Sequence, residues 1–396
     1  MSSSVLRVPG VYVQEPLVSP PSVLSTGVPV FIGLLTDTAP MPTGAPADAD
    51  FYGPEPLYHK SDFLGGAAVY LSSAINGFFD NGGGYCYVVG IKADPSGNAA
   101  AATAERLMEA LGLTAFLGDV DLVAIPDAQA LLDVTGAVNV GLVIQVQRAM
   151  IQHCTNVGTR IAVLDSLRGS SAVALLQNQV KALGVPATGP TNAALYHPWI
   201  RTIASDPQFV PPCGQVCGII SRTDAQAGVF KAPANTPVQD ATDVDADLDP
   251  DSLAALNDAG VNCIRALPAR GIRVWGARTL SLDPQWTYLN VRRLVLTVLR
   301  WIEVNMTWAA FEPNMPALWA RIERELGTYL TGLWRAGALQ GEAATDAFFV
   351  RCDAELNPPE TREVGQAVTQ IGLAPTAPAE FILVTVQLVA GTTELI

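Results

Sequence analysis

Charge is scarce in this 396-residue sequence. Charged residues make up 15% of it, against about 25% in ordinary soluble domains, while hydrophobic residues reach 49%. Yet no uncharged apolar run approaches the roughly 18 to 20 residues that a membrane helix needs, so direct membrane insertion is not expected. So little surface charge is best explained if much of the surface contacts other protein subunits.

Basic residues are few and unevenly placed. Four Lys and 19 Arg stand against 37 acidic residues, and the net charge of −14 argues against a nucleic-acid-binding protein. Ten of the arginines lie between residues 265 and 335, where a local balance of +5 leaves −19 for the rest of the chain. This asymmetry is typical of a protein with an oppositely charged partner, but a solvated basic face explains it equally well.

Neither a leader nor disulfides are expected. The first residues lack the basic and continuously apolar stretches of a secretory signal, which predicts synthesis in the cytoplasm. Five of the six cysteines have apolar or glycine neighbours, as buried reduced thiols do. The six are Cys86, Cys154, Cys213, Cys217, Cys263 and Cys352.

The common catalytic motifs are missing as well. There is no P-loop, no dinucleotide-binding glycine pattern, no zinc-protease motif and no serine-hydrolase elbow, and the sequence has only three histidines. We therefore expect no cofactor. Adjacent residues on a helix point about 100° apart, so His153 and Cys154 make a poor catalytic pair. A thiol-dependent enzyme built around Cys154 or Cys213 remains an alternative.

Aspartates crowd residues 240–258, which hold seven of them and no basic residue. A calcium loop of the EF-hand type starting at Asp243 would need glycine at its sixth position and glutamate at its twelfth. This sequence has Leu248 and Ala254 there. We therefore expect no metal site, and we interpret the stretch as a solvated acidic loop before a C-terminal domain.

The hydrophobic pattern predicts extended ends around a layered middle. Residues 5–15 have the pattern of an extended arm, and strand patterns alternate with helical patterns from residue 27 to residue 183, which predicts an α/β domain. Residues 284–306 are apolar almost all round a helical wheel, which indicates a helix enclosed by protein. The apolar strand pattern at residues 381–390 requires two strand partners.

A second helix is predicted in the C-terminal domain, with Asn314 as its cap and Pro316 in its first turn. At about 100° per residue, five apolar residues share one face of it: Trp319, Ile322, Leu326, Leu330 and Leu333. The cationic residues of the opposite face are Arg321, Arg324 and Arg335. Residues 356–363, which follow this helix, have the pattern of a disordered turn region.

Several segments resemble contractile phage tail sheath proteins. The first is PGVYVQE at residues 9–15. Further segments are GGGYCYVV (82–89), LVAIPD (122–127), ALYHPWI (194–200) and VFKAPAN (229–235). The densest matches are GIRVWGARTL (271–280), YLNVRR (288–293), FEPN (311–314), AP (374–375) and PAEF (378–381). The resemblance covers nearly the whole chain in order, apart from residues 235–258.

The resemblance implies a mixed α/β (α+β) fold with a discontinuous core domain, an inserted outer α/β domain and extended terminal β-arms. The chain then divides into an N-terminal arm (1–26), a middle α/β domain (27–259), a C-terminal core domain (260–372) and a C-terminal arm (373–396). The implied contacts between subunits use strand residues of the two arms: Val11, Tyr12, Val13, Ile382, Val384, Val386 and Leu388.

The implied function is mechanical and not enzymatic. Such subunits form stacked six-fold rings around an inner tube, and contraction drives the tube through a target envelope. The implied partners are further copies of the chain, an inner tube protein, and baseplate and terminal cap proteins of a phage tail or phage-like contractile injection system. We assign Arg321, Arg324 and Arg335 to the tube-facing surface. A non-contractile shell protein is a further alternative.

Overall fold

The computed structural model of the chain describes residues 24–36, 51–63, 66, 69–92, 99–133, 135–169, 172–380, 386–389 and 392–395. The strands in these ranges are β1 (Pro29–Leu35), β2 (Phe51–Leu57), β3 (Cys86–Lys92), β4 (Leu122–Ala124), β5 (Ile161–Asp165), β6 (Ala193–His197), β7 (Ile200–Thr202), β8 (Phe209–Val210), β9 (Thr236–Pro237), β10 (Ala241–Val244), β11 (Val261–Leu267), β12 (Gly271–Val274), β13 (Phe348–Arg351), β14 (Gln370–Leu373), β15 (Val386–Val389) and β16 (Thr392–Leu395).

The α-helices of the same ranges are α1 (Val69–Asp80), α2 (Ala99–Leu113), α3 (Val140–Val157), α4 (Val173–Leu183), α5 (Cys213–Ala227), α6 (Pro250–Asp258), α7 (Leu289–Asn305), α8 (Pro316–Arg335), α9 (Ala344–Ala347) and α10 (Pro359–Glu363). In this part of the chain, no helix combines the length and the apolar character that crossing a bilayer requires.

One large sheet organises the middle of the chain. Its strands lie in the order β2-β3-β1-β4-β5-β6-β11-β12-β9. Neighbours from β3 to β11 are parallel, and the antiparallel strands β2, β12 and β9 complete the two ends. Parallel strands are buried on both faces, which explains the continuous apolar runs in the sequence. The predicted mixed α/β fold class is confirmed.

Helices cover both faces of this sheet. In β5, Ile161 and Val163 pack into the core beneath α1 and α5, whereas Ala162 and Leu164 pack into the core beneath α2, α3 and α4. Because successive side chains of a strand point to opposite faces, one short apolar run contributes to both cores. The described middle of the chain therefore has three layers, α/β/α.

Helices α1 and α5 approach each other closely because glycines line their contact. A Cβ at Gly214 would lie 2.3 Å from the Cα of Ala74, and one at Gly218 would lie 2.4 Å from the carbonyl oxygen of Phe78. These distances leave no room for a side chain, so the backbones of the two helices pack directly against each other.

Two buried aspartates at the carboxyl ends of β4 and β5 hold the N-termini of these helices. Asp127 accepts hydrogen bonds from the backbone N–H groups of Leu34, at 2.7 Å, and of Leu71 in the first turn of α1. Asp165 accepts one at 3.0 Å from Cys213, the first residue of α5. Burial raises the pKa of each carboxyl to about 7, although these hydrogen bonds act in the opposite direction.

The interpretation of residues 240–258 as a solvated loop is wrong. Strand β10 and helix α6 occupy much of this stretch, and its aspartates have structural roles. Asp245 accepts a hydrogen bond of 3.1 Å from the backbone N–H of Trp199, and burial raises its pKa to about 6. Asp249 caps α6 by accepting two backbone hydrogen bonds of 2.9 Å. Two of the alternating carboxylates, Asp245 and Asp249, therefore bind backbone groups.

The large sheet takes strands from both sides of the predicted boundary at residue 260. Strand β11 pairs in parallel with β6, with Val261 opposite Leu195, and β12 pairs with β11. Helices α7 and α8 and the β13–β14 hairpin follow. They enclose an apolar cluster in which the rings of Trp301 and Tyr329 stack 4.0 Å apart.

Three details of the predicted C-terminal domain are wrong. Helix α7 is only partly enclosed, since Leu299 and Val304 are more than two-fifths exposed. Asn314 does not cap α8, because it lies one residue before the N-cap position and its Oδ1 accepts the indole N–H of Trp319 at 2.8 Å. Residues 356–363 contain α10. In the turn before this helix, the buried side chain of Asn357 forms two hydrogen bonds with the backbone 11 positions later.

Candidate functional site

Five of the predicted arm residues lie outside the described ranges: Val11, Tyr12, Val13, Ile382 and Val384. The other two, Val386 and Leu388, lie in β15, which forms an antiparallel hairpin with β16. The predicted terminal strand therefore has one partner in its own chain. The second partner that the apolar pattern requires stays a prediction.

Buried arginines of α7 hold the segment that leads from the N-terminal arm into β1, which we call the N-terminal arm root (residues 24–28). Arg300 donates hydrogen bonds to the carbonyl oxygen of Ser25 and, at 3.1 Å, to that of Asp119. Its side chain is buried. A guanidinium that binds two backbone carbonyls in the interior fixes the path of both segments.

A second arginine, Arg293, continues this anchor. Its Nη2 lies 2.8 Å from Asp121 Oδ2, and its Nη1 and Nη2 lie 2.8 and 2.6 Å from the two carboxylate oxygens of Asp224 in α5. The Asp121 carboxylate also accepts the backbone N–H groups of Gly27, at 3.0 Å, and Val28, at 2.7 Å. Burial alone would lower the pKa of Arg293, but the two carboxylates outweigh it and raise the pKa, so this guanidinium stays charged.

Gly27 suits this anchor for a conformational reason. Its φ of +68° lies in the left-handed region, and a Cβ there would come within 2.5 Å of the Cα of Ser221. Any other residue would push the N-terminal arm root away from α5 and from the Asp121 carboxylate.

The C-terminal arm has a comparable root at residues 374–380. The carbonyl of Thr376 accepts a 3.1 Å hydrogen bond from Asn290 Nδ2 at the start of α7. Glu380 forms a two-point ion pair with Arg278, with Nε–Oε1 at 3.1 Å and Nη2–Oε2 at 2.5 Å, and the two side chains are 17% and 18% exposed. The hydrogen bond and charge of Glu380 raise the pKa of Arg278.

Both arm roots therefore meet helix α7. Asn290 contacts the C-terminal root, while Arg293 and Arg300 anchor the N-terminal root. Sequence reasoning missed these residues as a site, because their partners are from 60 to 275 positions away along the chain. The sequence signal for this site was the segment YLNVRR at residues 288–293, which contains Asn290 and Arg293.

The structure places the three predicted cationic residues of α8 on its exposed face, but it separates their roles. The guanidinium of Arg321 lies 3.5 Å from the ring centroid of Trp308 and pairs with Glu325 at 3.0 Å. Arg324 and Arg335 line an open groove of about 460 Å³ whose floor includes Thr328 and Thr331. Since α-helices rise about 1.5 Å per residue, the backbone positions of these two residues lie roughly 16 Å apart along the helix axis.

The thiols do not form a site for nucleophilic chemistry. All six cysteines are buried and free. Burial raises the pKa of Cys154 to about 12 and that of Cys213 well above its ordinary value, whereas a reactive cysteine needs a lowered pKa. His153 faces Arg160 Nη1 at 3.0 Å, and burial together with this cation lowers its pKa to about 4. Across the described ranges, no three His, Cys, Asp or Glu residues are grouped to hold a metal ion.

Two family models match the chain, one after the other along the sequence. Residues 127–280 match the phage tail sheath protein central domain, and residues 281–389 match the phage tail sheath C-terminal domain. The chain belongs to the phage tail sheath family. The sequence segments predicted this family, and the prediction is confirmed. The two matched regions divide at residue 280, after β12 and before α7.

One individual relative of this sheath protein is also a tail sheath protein. A prophage major tail sheath protein of Pseudomonas aeruginosa (strain UCBPP-PA14) is 26% identical over 176 residues, 43% of this chain and 44% of that protein. The match thus spans less than half of that relative's length.

Solved structures are similar over much more of the chain. The helical sheath of the anti-feeding prophage (AFP) in its contracted state is 30% identical, with 96% of this chain and 99% of that chain covered and a TM-score of 0.74. A chain of the AFP baseplate structure is 28% identical, with 98% and 100% covered and a TM-score of 0.74. The contracted PVC sheath complex of an extracellular contractile injection system is 25% identical, with 97% and 98% covered and a TM-score of 0.73.

Proposed function

We propose that this chain is the structural subunit of a contractile sheath in a phage tail or phage-like contractile injection system. Copies polymerise as stacked six-fold rings around an inner tube, and contraction drives the tube through a target envelope. The observation that carries the proposal is the similarity to a contracted helical sheath over 96% of the chain. The scarcity of surface charge supports it, because most faces of a sheath subunit contact other copies.

The arms supply the links between copies in this proposal. Strands β15 and β16 are four residues each, and an isolated two-stranded hairpin is at best marginally stable in water. A strand from another copy would add to the hairpin through main-chain hydrogen bonds, while alternate residues such as Val386 and Leu388 set the register. Such head-to-tail contacts propagate an open polymer and not a closed dimer.

Contraction in this proposal uses energy stored during assembly. If the tube templates an extended lattice of higher free energy, release of that lattice performs work without a nucleotide. The anchored arm roots support this mechanism, since a pull on either arm is transmitted to α7 and from there to the central sheet.

The inner tube is the proposed partner of α8. Arg324 and Arg335 line the same groove and face solvent, so they suit an acidic tube surface. Arg321 has the weaker claim, because Trp308 and Glu325 already occupy its guanidinium. Similarity to a chain of the AFP baseplate structure supports contact with baseplate proteins, and a terminal cap protein completes the proposed set.

Electron microscopy combined with sedimentation tests the proposal. The purified full-length chain, alone and with its inner tube protein, is expected to form rings or tubular polymers as its concentration rises. A discrete monomer or small oligomer under every one of these conditions would contradict a sheath function.

A further inference from the structure

We propose that Arg278 is a positioning residue for assembly: its ion pair with Glu380 fixes the place and the direction in which the C-terminal arm leaves the core. The inference rests on the proposed function, because it assigns the pair a role in polymerisation.

Arg278 is itself held rigidly by the core. Its backbone N–H donates to Asn262 Oδ1 at 2.7 Å, and it forms an isolated antiparallel bridge with Tyr288 just before α7. Its Nη1 donates to the carbonyl of Asn257 at the end of α6 at 3.0 Å. The guanidinium therefore has a fixed place between α6, β11 and α7, and its other two nitrogens, Nε and Nη2, donate to Glu380.

Beyond Thr376, Glu380 is the next anchored point among the described residues of the C-terminal arm root. Backbone hydrogen bonds hold the chain as far as Thr376, whose N–H donates to Ala338 at 3.1 Å. Among the described residues that follow, the next hydrogen bonds are those of Glu380. Without this pair, four residues at about 3.3 Å each could swing about Thr376 over a radius of roughly 13 Å.

Apolar packing does not replace the ion pair at this place. Pro378, Ala379 and Glu380 form one wall of a cavity of about 420 Å³, whose other walls include Leu253 and Trp275. The C-terminal arm root thus lies beside an open space, and a planar two-point ion pair supplies the directional contact there.

Two sequence segments that carry the family resemblance meet in this pair. Arg278 belongs to GIRVWGARTL at residues 271–280, and Glu380 belongs to PAEF at residues 378–381. They lie 102 positions apart, and the ion pair joins them directly. A positioning role accounts for both segments with one contact.

The test uses the full-length chain with Glu380→Gln, with Arg278→Glu, and with the exchanged pair R278E/E380R. Glu355→Gln is the matched control, because it breaks an exposed ion pair with Arg351 elsewhere in the C-terminal region. The readouts are the critical concentration for polymerisation by sedimentation, the unfolding temperature of the monomer, and the mobility of a spin label attached at the exposed position Ala379→Cys in the monomer.

We expect Glu380→Gln to raise the critical concentration by roughly tenfold, since the arm must then be ordered during binding. The spin label at Ala379→Cys should become more mobile in this variant, while the unfolding temperature stays near that of the wild type. The exchanged pair should polymerise better than either single variant, because the ion pair can form again although the hydrogen bond to Asn257 is lost. Glu355→Gln should match the wild type.

Two results would overturn the inference: a Glu380→Gln variant that polymerises like the wild type, or folded R278E/E380R that polymerises no better than either single variant. A wild-type chain that never polymerises would contradict the proposed function itself, and the positioning role would fall with it. The wild-type control therefore separates the two failures.

Discussion

Arg293 Nη2 lies 2.6 Å from Asp224 Oδ2, and each of these side chains is only 2% exposed. The same nitrogen lies 2.8 Å from Asp121 Oδ2, whose side chain is 8% exposed. One buried guanidinium thus pairs with two buried carboxylates and connects α7 to α5 and to the N-terminal arm root. Such a triad adds little net stability over apolar packing, but the loss of one member leaves charges buried and unpaired.

Replacing Arg293 should therefore strongly destabilise the folded chain. In Arg293→Met, Asp121 and Asp224 lose their counter-ion, and we expect the free energy of unfolding to fall by about 3 to 5 kcal/mol. Urea denaturation measures this. The control is Arg351→Met, which removes a guanidinium that also pairs with two carboxylates, Asp353 and Glu355, but at the surface. It should unfold nearly like the wild type. Equal losses in the two variants would contradict the role of the buried triad.

The buried carboxyl of Asp127 predicts a pH dependence of stability. Its pKa is about 7 in the native state and returns to about 4 on unfolding, because burial disfavours the charged form. Between these values the native state keeps a proton that the unfolded chain has released. Native stability should therefore fall as pH rises from about 4 to about 7 and level off above that.

Comparison with Asp127→Asn isolates this effect, since an amide oxygen can still accept the N–H of Leu34. The unfolding free energy of the wild type relative to the variant should decrease by at most about 1.4 kcal/mol per pH unit across the range. Asp249→Asn is the control of opposite sign. Hydrogen bonds from Ser252 lower the pKa of Asp249, so its stabilising contribution disappears only on acidification. A pH-independent difference for Asp127→Asn would refute the assignment.

The proposed tube surface is tested by reversing its charge. The variant R324E/R335E should fold normally, because both side chains are exposed, and it should yield fewer tube-filled particles in co-assembly with the inner tube protein. The variant R168E/R270E makes the same change of charge at two other exposed arginines. Electron microscopy measures the yield of tube-filled particles. Equal yields from the two variants would show that α8 does not contact the tube.

Patterns within one element were readable from the sequence. The buried face of α8 follows from helical spacing, and Trp319, Ile322 and Leu326 are buried as that spacing predicts. The parallel strands follow from short apolar runs bounded by glycine and proline. In these cases the signal lies within about 20 residues, which is the length over which periodicity acts.

Contacts between distant segments could not be read in this way. The partner of Arg278 lies 102 residues away, and β11 joins β6 across the stretch that was interpreted as a loop. The aspartates of that stretch resemble solvent-facing charges in the sequence, because composition does not reveal that Asp245 binds the backbone of Trp199. The hydrophobic pattern and the resemblance between segments both pointed to the arms, but neither identified the residues that anchor them.

The most direct measurement of the central claim is electron microscopy of chains that lack residues 381–396 or residues 1–15, beside the full-length protein under the same assembly conditions. If copies are joined through their arms, the full-length chain forms sheaths, whereas both truncated chains stay folded and monomeric, with thermal unfolding close to that of the full-length monomer. Sheaths of normal appearance from either truncated chain would contradict the account.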